Sequence, residues 1–342
     1  MRRPLLLVLL CLLAAPTTFA RRRPSSHPAP FTIPELETIA AEALQAGVPG
    51  LTIAVRQGSS SVVRAWGNTR RDSVYQIGSV TKQFTAAAIM RLVEAGTVRA
   101  EDKARTWLPE LDSRFDAITI EHLLTHRSGL RDYNEQLTSA WEPKTQQQIL
   151  ALITSGPPLF TPGSRYTYSN SGYYVLGMII ERASSKSYEQ FLRETFFEPL
   201  ALRDTSYCGT NAPAPDGYVI DPTGMLFEVA AADMSLPYAA GALCSTGDDL
   251  LRWTGALANG RAVSPGSYAQ MIRNPGYGYA LVVDTLDGNR RVWHNGAILG
   301  FQSHVAHFPE KGLTVAVLIN ALDLTTQDRA TSIANQVARA ML

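Results

Sequence analysis

The chain has 342 residues, 45% of them hydrophobic and 18% charged, with 31 Lys and Arg against 30 Asp and Glu. That length allows one large domain or two interlocked ones with a full buried core. The net charge of +1 leaves no basic excess to attract nucleic acid or an anionic membrane surface.

Residues 1–20 have the pattern of a signal peptide. Arg2 and Arg3 give a charged start, Leu5 to Ala15 an apolar run, and Thr18-Phe19-Ala20 a small-residue cleavage pattern. The run is too short for an ordinary membrane helix, so no stable membrane insertion is expected after its removal. Cleavage after Ala20 lowers Lys plus Arg to 29 and moves the net charge to −1. Residues 21–32, which begin basic and Pro-rich, read as a flexible leader into a domain spanning 33–342. The protein is therefore expected to be exported, to a periplasm or the exterior. Cys208 and Cys244 remain in the mature chain. An oxidising compartment allows them to pair, and the sequence equally allows two separate buried thiols.

Pro34 to Ala46 reads as a helix, with Leu36, Ile39, Ala43 and Leu44 on one side and Gly47 as its stop. Leu51–Arg56 and Ser61–Trp66 read as a β-hairpin. Ser79 to Ala95 has the period of a buried helix. From Glu101 to Leu200 the pattern is mostly helical, best at 120–125, 145–154 and 173–183. Residues 203–240 are Pro-rich and carry no periodic signal. A short helix is expected near 248–258. Strand signals then return at 278–284, 290–293, 301–308 and 313–320, with Asp287-Gly288 as a hairpin turn. The tail from 327 to 341 has helical spacing. The predicted class is α+β: an antiparallel sheet built from both chain ends, about 33–78 and 260–342, with a helical region inserted at about 97–255.

Three short motifs carry the chemistry: Ser79-Val-Thr-Lys82, Tyr168-Ser-Asn170 and His294-Asn-Gly296. Ser79 and Lys82 stand one helical turn apart, so a lysine amine can reach the serine hydroxyl. A serine is a weak nucleophile until a neighbouring base takes its proton. Taken singly, each motif also fits a helix cap or a turn. The ordered set, expected at the seam between sheet and helices, points to serine acyl transfer. His122 and His126 are four apart on an expected helix, but Leu123 stands where a zinc protease needs its Glu, so they read as a packing and capping pair. His304 and His307 fall on opposite faces of a strand and read as structural. Tyr166, Tyr173, Tyr174, Tyr277 and Tyr279 fit either a cleft lining or the core, and most are assigned to the core. No G-x-S-x-G elbow occurs.

The stretches YQIGSVTKQFTAA around Ser79, ITIEHLLTHRSGL at 118–130, TPGSRYTYSNSGYYVLGMIIE at 161–181 and WHNGAILGFQSHVAHFPEKGLTVAVLIN at 293–320 resemble the serine β-lactamase and penicillin-binding-protein family. The resemblance is specifically to its class C-like branch of lactamases, D-specific peptidases and esterases. The resemblance implies that fold, with the site between an α/β region and an all-helical region. It implies Ser79 as nucleophile, Lys82 as its hydrogen-bonded base, and Tyr168 as proton relay. It implies Asn170, His294 and Gly296 as substrate-binding positions, and the N–H groups of Ser79 and Ala297 as an oxyanion hole. Which of Lys82 and Tyr168 takes the acylation proton stays open.

The family's lactamases carry Lys-Thr-Gly where this chain has His294-Asn-Gly. A histidine is mostly neutral at neutral pH and holds a substrate carboxylate less well. The implied activity is an exported serine hydrolase that needs no metal or cofactor. Its substrate is a small molecule or peptide: a β-lactam, a D-amino-acid peptide or a small ester. A non-hydrolytic receptor or an acyltransferase using the same cleft is the alternative. Nothing in the chain fixes an oligomeric state.

Overall fold

The computed structural model describes residues 33–209, 214–325 and 328–342. The signal-peptide and leader assignments, residues 1–32, lie outside them. The main sheet is antiparallel and seven-stranded. From one edge to the other it runs Ser60–Gly67, Gly50–Gln57, Leu313–Ile319, Phe301–Phe308, Asn289–Ile298, Val282–Leu286 and Gly276–Tyr277. The first hairpin of the domain thus pairs with the last long strand, in a register that sets Ile53 opposite Val317. Leu313–Ile319 is buried along its whole length and apolar at every position but Thr314. Such a strand does not alternate because both of its faces are covered. Helices Glu35–Gln45 and Arg329–Met341 pack together, the latter against the central strands, and helix Gly247–Ala258 also packs on the sheet.

Asp287 and Gly288 both take positive φ, 47° and 80°, in a two-residue turn between Leu286 and Asn289. Such turns match the twist of the strands they join. The strand expected at 278–284 starts instead at Val282, and the one expected at 290–293 extends to Ile298. The cause of the first shift is the chain at Gly278. It lies so close to the end of helix Pro265–Met271 that a Cβ there would stand 2.0 Å from the Met271 carbonyl. Residues 203–240, read as irregular, contribute to two small sheets. Gly217–Ile220 pairs parallel with Ala321–Asp323, and Ser206–Tyr207 pairs with Leu243–Ser245. A disulfide joins Cys208 to Cys244 across the second sheet.

In the helical region, Thr81–Glu94 packs against Asn170–Ser184. Ala86, Ala87 and Ala88 are fully buried, which lets the two helices approach closely. Phe84 stacks on Trp253 at 3.8 Å and fixes the far side of the serine-bearing helix. Gly177 leaves room for Tyr238 and Ala239, whose short helix Tyr238–Gly241 abuts the head of the serine helix.

Candidate active site

Ser79 sits in a 3₁₀ turn, Gly78–Val80, that leads into helix Thr81–Glu94. The helix expected from Ser79 therefore begins with this tighter turn. Gly78 has φ +48°, and a Cβ on it would lie 2.9 Å from both the amide nitrogen and the carbonyl oxygen of Ala297. A Cβ on Gly296 would lie 2.1 Å from the Ile77 carbonyl and 3.0 Å from the Ser79 amide nitrogen. Two glycines thus let strand Asn289–Ile298 press directly on the serine turn, leaving Ser79 and Ala297 lining one cleft.

Lys82 is fully buried. Its Nζ lies 2.9 Å from Ser79 Oγ, 2.8 Å from Asn170 Oδ1 and 2.7 Å from the Ala240 carbonyl oxygen. Desolvation lowers its pKa from 10.5 to about 7, although the charge of Asp132 acts the other way. As an amine it accepts the Ser79 proton and donates to Asn170 and Ala240. As an ammonium it donates to all three. Either state is satisfied without moving a side chain, as a reversible proton acceptor requires.

Tyr168 donates its O–H to Ser79 Oγ at 2.7 Å. Although 38% of the residue is exposed, that hydroxyl end is turned onto Ser79, and its burial pushes the phenol well up. With Lys82 in its amine form the site is a short chain of neutral groups, Tyr168 to Ser79 to Lys82; with a pKa of about 7, amine and ammonium are both populated at neutral pH. Asn170 opens helix Asn170–Ser184 and is fixed by Asp132, whose Oδ2 accepts from its backbone N–H at 2.9 Å and from Nδ2 at 3.2 Å. That contact sets the amide so that its oxygen faces Lys82.

His294 is buried, and its ring does not line the cleft; Asn295 and Ala297 do. Its Nε2 lies 2.9 Å from the Tyr277 hydroxyl and its Nδ1 2.6 Å from the Asn295 carbonyl. Burial holds its pKa down at about 4. The substrate contact expected of His294 is therefore replaced by a place in the wall behind the cleft. The tautomers follow from the partners. Ser169 N–H donates to His126 Nδ1 at 3.2 Å, so His126 Nε2–H donates to Tyr277, 3.0 Å away. Tyr277 then donates to His294 Nε2, and His294 Nδ1–H donates to the Asn295 carbonyl. Burial holds His126 well below its ordinary pKa and Tyr277 well above. Tyr168 rests on the His126 ring, with centroids 4.3 Å apart.

The histidine pair thus divides. His122 closes a capping box with Thr119, as a capping residue should. His126, at φ +55°, belongs under Tyr168. Tyr173, Tyr174 and Tyr279 are core, but Tyr166 is 46% exposed and Tyr277 links His126 to His294. His304 and His307 hydrogen-bond Thr331 and Thr314 and lie away from the cleft. The groups that sequence reasoning missed are Asp132, His126, Tyr277 and the Ala240 carbonyl. Only His126 had a signal, since it lies within the matching stretch at 118–130. A second, larger cleft of about 800 Å³ lies against Glu121, His122, Arg127 and Tyr166, without Ser79 or Lys82 in its walls.

The family description "Beta-lactamase" matches residues 36–338. The chain is 27% identical over 290 residues to penicillin-binding protein 4* of Bacillus subtilis, covering 76% of this chain and 64% of that protein. It is 30% identical over 227 residues to the D-alanyl-D-alanine-carboxypeptidase/endopeptidase AmpH of Escherichia coli, covering 60% of this chain and 57% of that protein. The chain thus spans less than two thirds of the length of these curated relatives. The D-stereospecific amidohydrolase of a Streptomyces species superposes with a TM-score of 0.80 at 26% identity, covering 90% of this chain and 98% of that one.

Proposed function

Because the chain belongs to the β-lactamase family, we propose that it is an exported serine hydrolase that cleaves an ester or amide bond through an acyl-enzyme on Ser79. The observation that carries this reading is the position of Ser79 Oγ between Lys82 Nζ at 2.9 Å and the Tyr168 hydroxyl at 2.7 Å. Lys82 takes the serine proton as Oγ bonds the carbonyl carbon. The N–H groups of Ser79 and Ala297 hold the developing oxyanion, each such donor being worth about 3 kcal/mol. Tyr168 passes a proton to the departing alkoxide or amine and regains one from the Lys82 ammonium, and the same groups run in reverse to activate the water that frees the acid. Asn170 and Asp132 keep Lys82 aimed. Gly296 keeps the strand against the serine turn. The disulfide between Cys208 and Cys244 supports export, because such bonds persist in oxidising compartments. Among the described residues no helix is long and apolar enough to cross a membrane.

The test is Ser79→Ala against wild type, with a fluorophosphonate probe and a panel of small esters and amides. Wild type should label on Ser79 and turn over at least one of them. The variant should do neither while melting at the same temperature. Turnover retained in Ser79→Ala sinks the assignment. A stable adduct with no turnover on any substrate would favour the non-hydrolytic receptor.

A further inference from the structure

The cleft beside Ser79 has a volume of about 520 Å³, and none of the residues lining it carries a charged side chain. Leu137, Ala140, Leu236, Pro237, Ile298 and Leu299 supply most of its apolar wall, with Asn134, Asn170 and Asn295 as neutral polar groups. The ordinary way to hold a substrate carboxylate is a fixed cation at the edge of the site. Here the candidate cations are absent or committed. Lys82 is enclosed, with its three near neighbours all on the protein. His294 stands where a lysine would, but its two ring nitrogens are taken by Tyr277 and the Asn295 backbone. Besides the enclosed Lys82, two acids touch the back of the wall: Asp132, in contact with Asn170, and Asp328, in contact with Asn295. A carboxylate brought into this cleft would lose water, gain no free cation, and face those anions. Burying a charge without a partner is unfavourable.

We propose that the substrate places a neutral, compact, apolar acyl group in this cleft, with no carboxylate on it. The inference rests on the serine-hydrolase reading above and names the acyl class that reading leaves open. The reaction is then an uncharged ester or amide plus water, giving the apolar acid and an alcohol or amine. The carbonyl–heteroatom bond breaks as the Ser79 Oγ–carbon bond forms. Water later breaks the latter, and the released proton goes to bulk solvent.

The experiment compares 4-nitrophenyl butyrate with 4-nitrophenyl hydrogen succinate, which share a leaving group and differ by one carboxylate. Wild type should prefer the butyrate by at least thirtyfold in kcat/KM. Asn134→Lys, at an exposed cleft-lining position, should shrink that ratio at least fivefold without lowering the melting temperature. Equal rates on both esters, or a preference for the succinate, overturn the proposal. So does an unchanged ratio in Asn134→Lys. Fluorophosphonate labelling separates the two readings. If Ser79 labels but neither ester is cleaved, the acyl class is wrong and the nucleophile stands; if Ser79 does not label and neither ester is cleaved, both fall.

Discussion

Replacing Lys82 by Met tests stability and chemistry at once. A pKa brought from 10.5 down to about 7 in a fully buried group corresponds to roughly 5 kcal/mol between its two protonation states. Between those two pH values the unfolded chain holds a proton that the folded chain has released, so stability rises with pH across that window. Below pH 7 both states are protonated, and the native state bears the whole cost of the buried ammonium. Lys82→Met removes that cost along with the base. The variant should lose esterase activity by a thousandfold or more, yet melt several degrees higher than wild type at pH 6, with the gap closing towards pH 10. In wild type, kcat/KM should rise with pH through a single ionisation near 7 and stay level to at least pH 10, because the Tyr168 phenol is held up by burial. The assays are differential scanning calorimetry and initial rates on a neutral ester across that range. A flat profile from pH 5 to 9 would refute the reasoning. So would a Met variant no more stable at pH 6 than at pH 10. A rate still climbing beyond pH 10 would move the base to the Tyr168 phenolate.

Gly296→Ala should destabilise by about 2 kcal/mol or more, since its Cβ would press on the Ile77 carbonyl; urea unfolding with unchanged midpoint would contradict that contact. Tyr277→Phe leaves His126 Nε2–H and His294 Nε2 without their partner, at about 1–3 kcal/mol for each buried group. Its kcat should fall as Tyr168 loses its support, while Ser79 still labels with fluorophosphonate. Reducing the disulfide, whose cysteines are 36 positions apart, should cost about 4 kcal/mol on a chain-entropy estimate, read as a lower melting temperature in dithiothreitol.

The sequence made some of this legible for physical reasons. Ser79 and Lys82 are a local pair, fixed by one turn of helix, so their meeting needs no knowledge of the rest of the chain. The long strands Phe301–Phe308 and Leu313–Ile319 and the helix Glu35–Gln45 were readable because burial imposes a period or an unbroken apolar run. Asp132 was not readable. It is a common residue in a loop, and only the tertiary fold sets it against Asn170, 38 positions later. The Ala240 carbonyl has no side chain to announce it. At His294 the exchanged residue type was visible and its consequence for charge followed, but the ring's partner, Tyr277, lies 17 positions earlier on a two-residue strand that leaves no periodic trace. The short strands within 203–240 were missed because strands of two to four residues leave no periodic trace.

The pairing of the first hairpin with a strand near the far end has a consequence for how the molecule comes into being. While the ribosome is still reading the helical region, Gly50–Gln57 has no inner neighbour, and the Ser79 turn lacks the strand that carries Ala297. A chain folded only through the helical region can therefore bring Ser79 and Lys82 together and still lack the Ala297 side of the cleft. That side is completed only when residues up to about 319 have closed the sheet, a slow, long-range step.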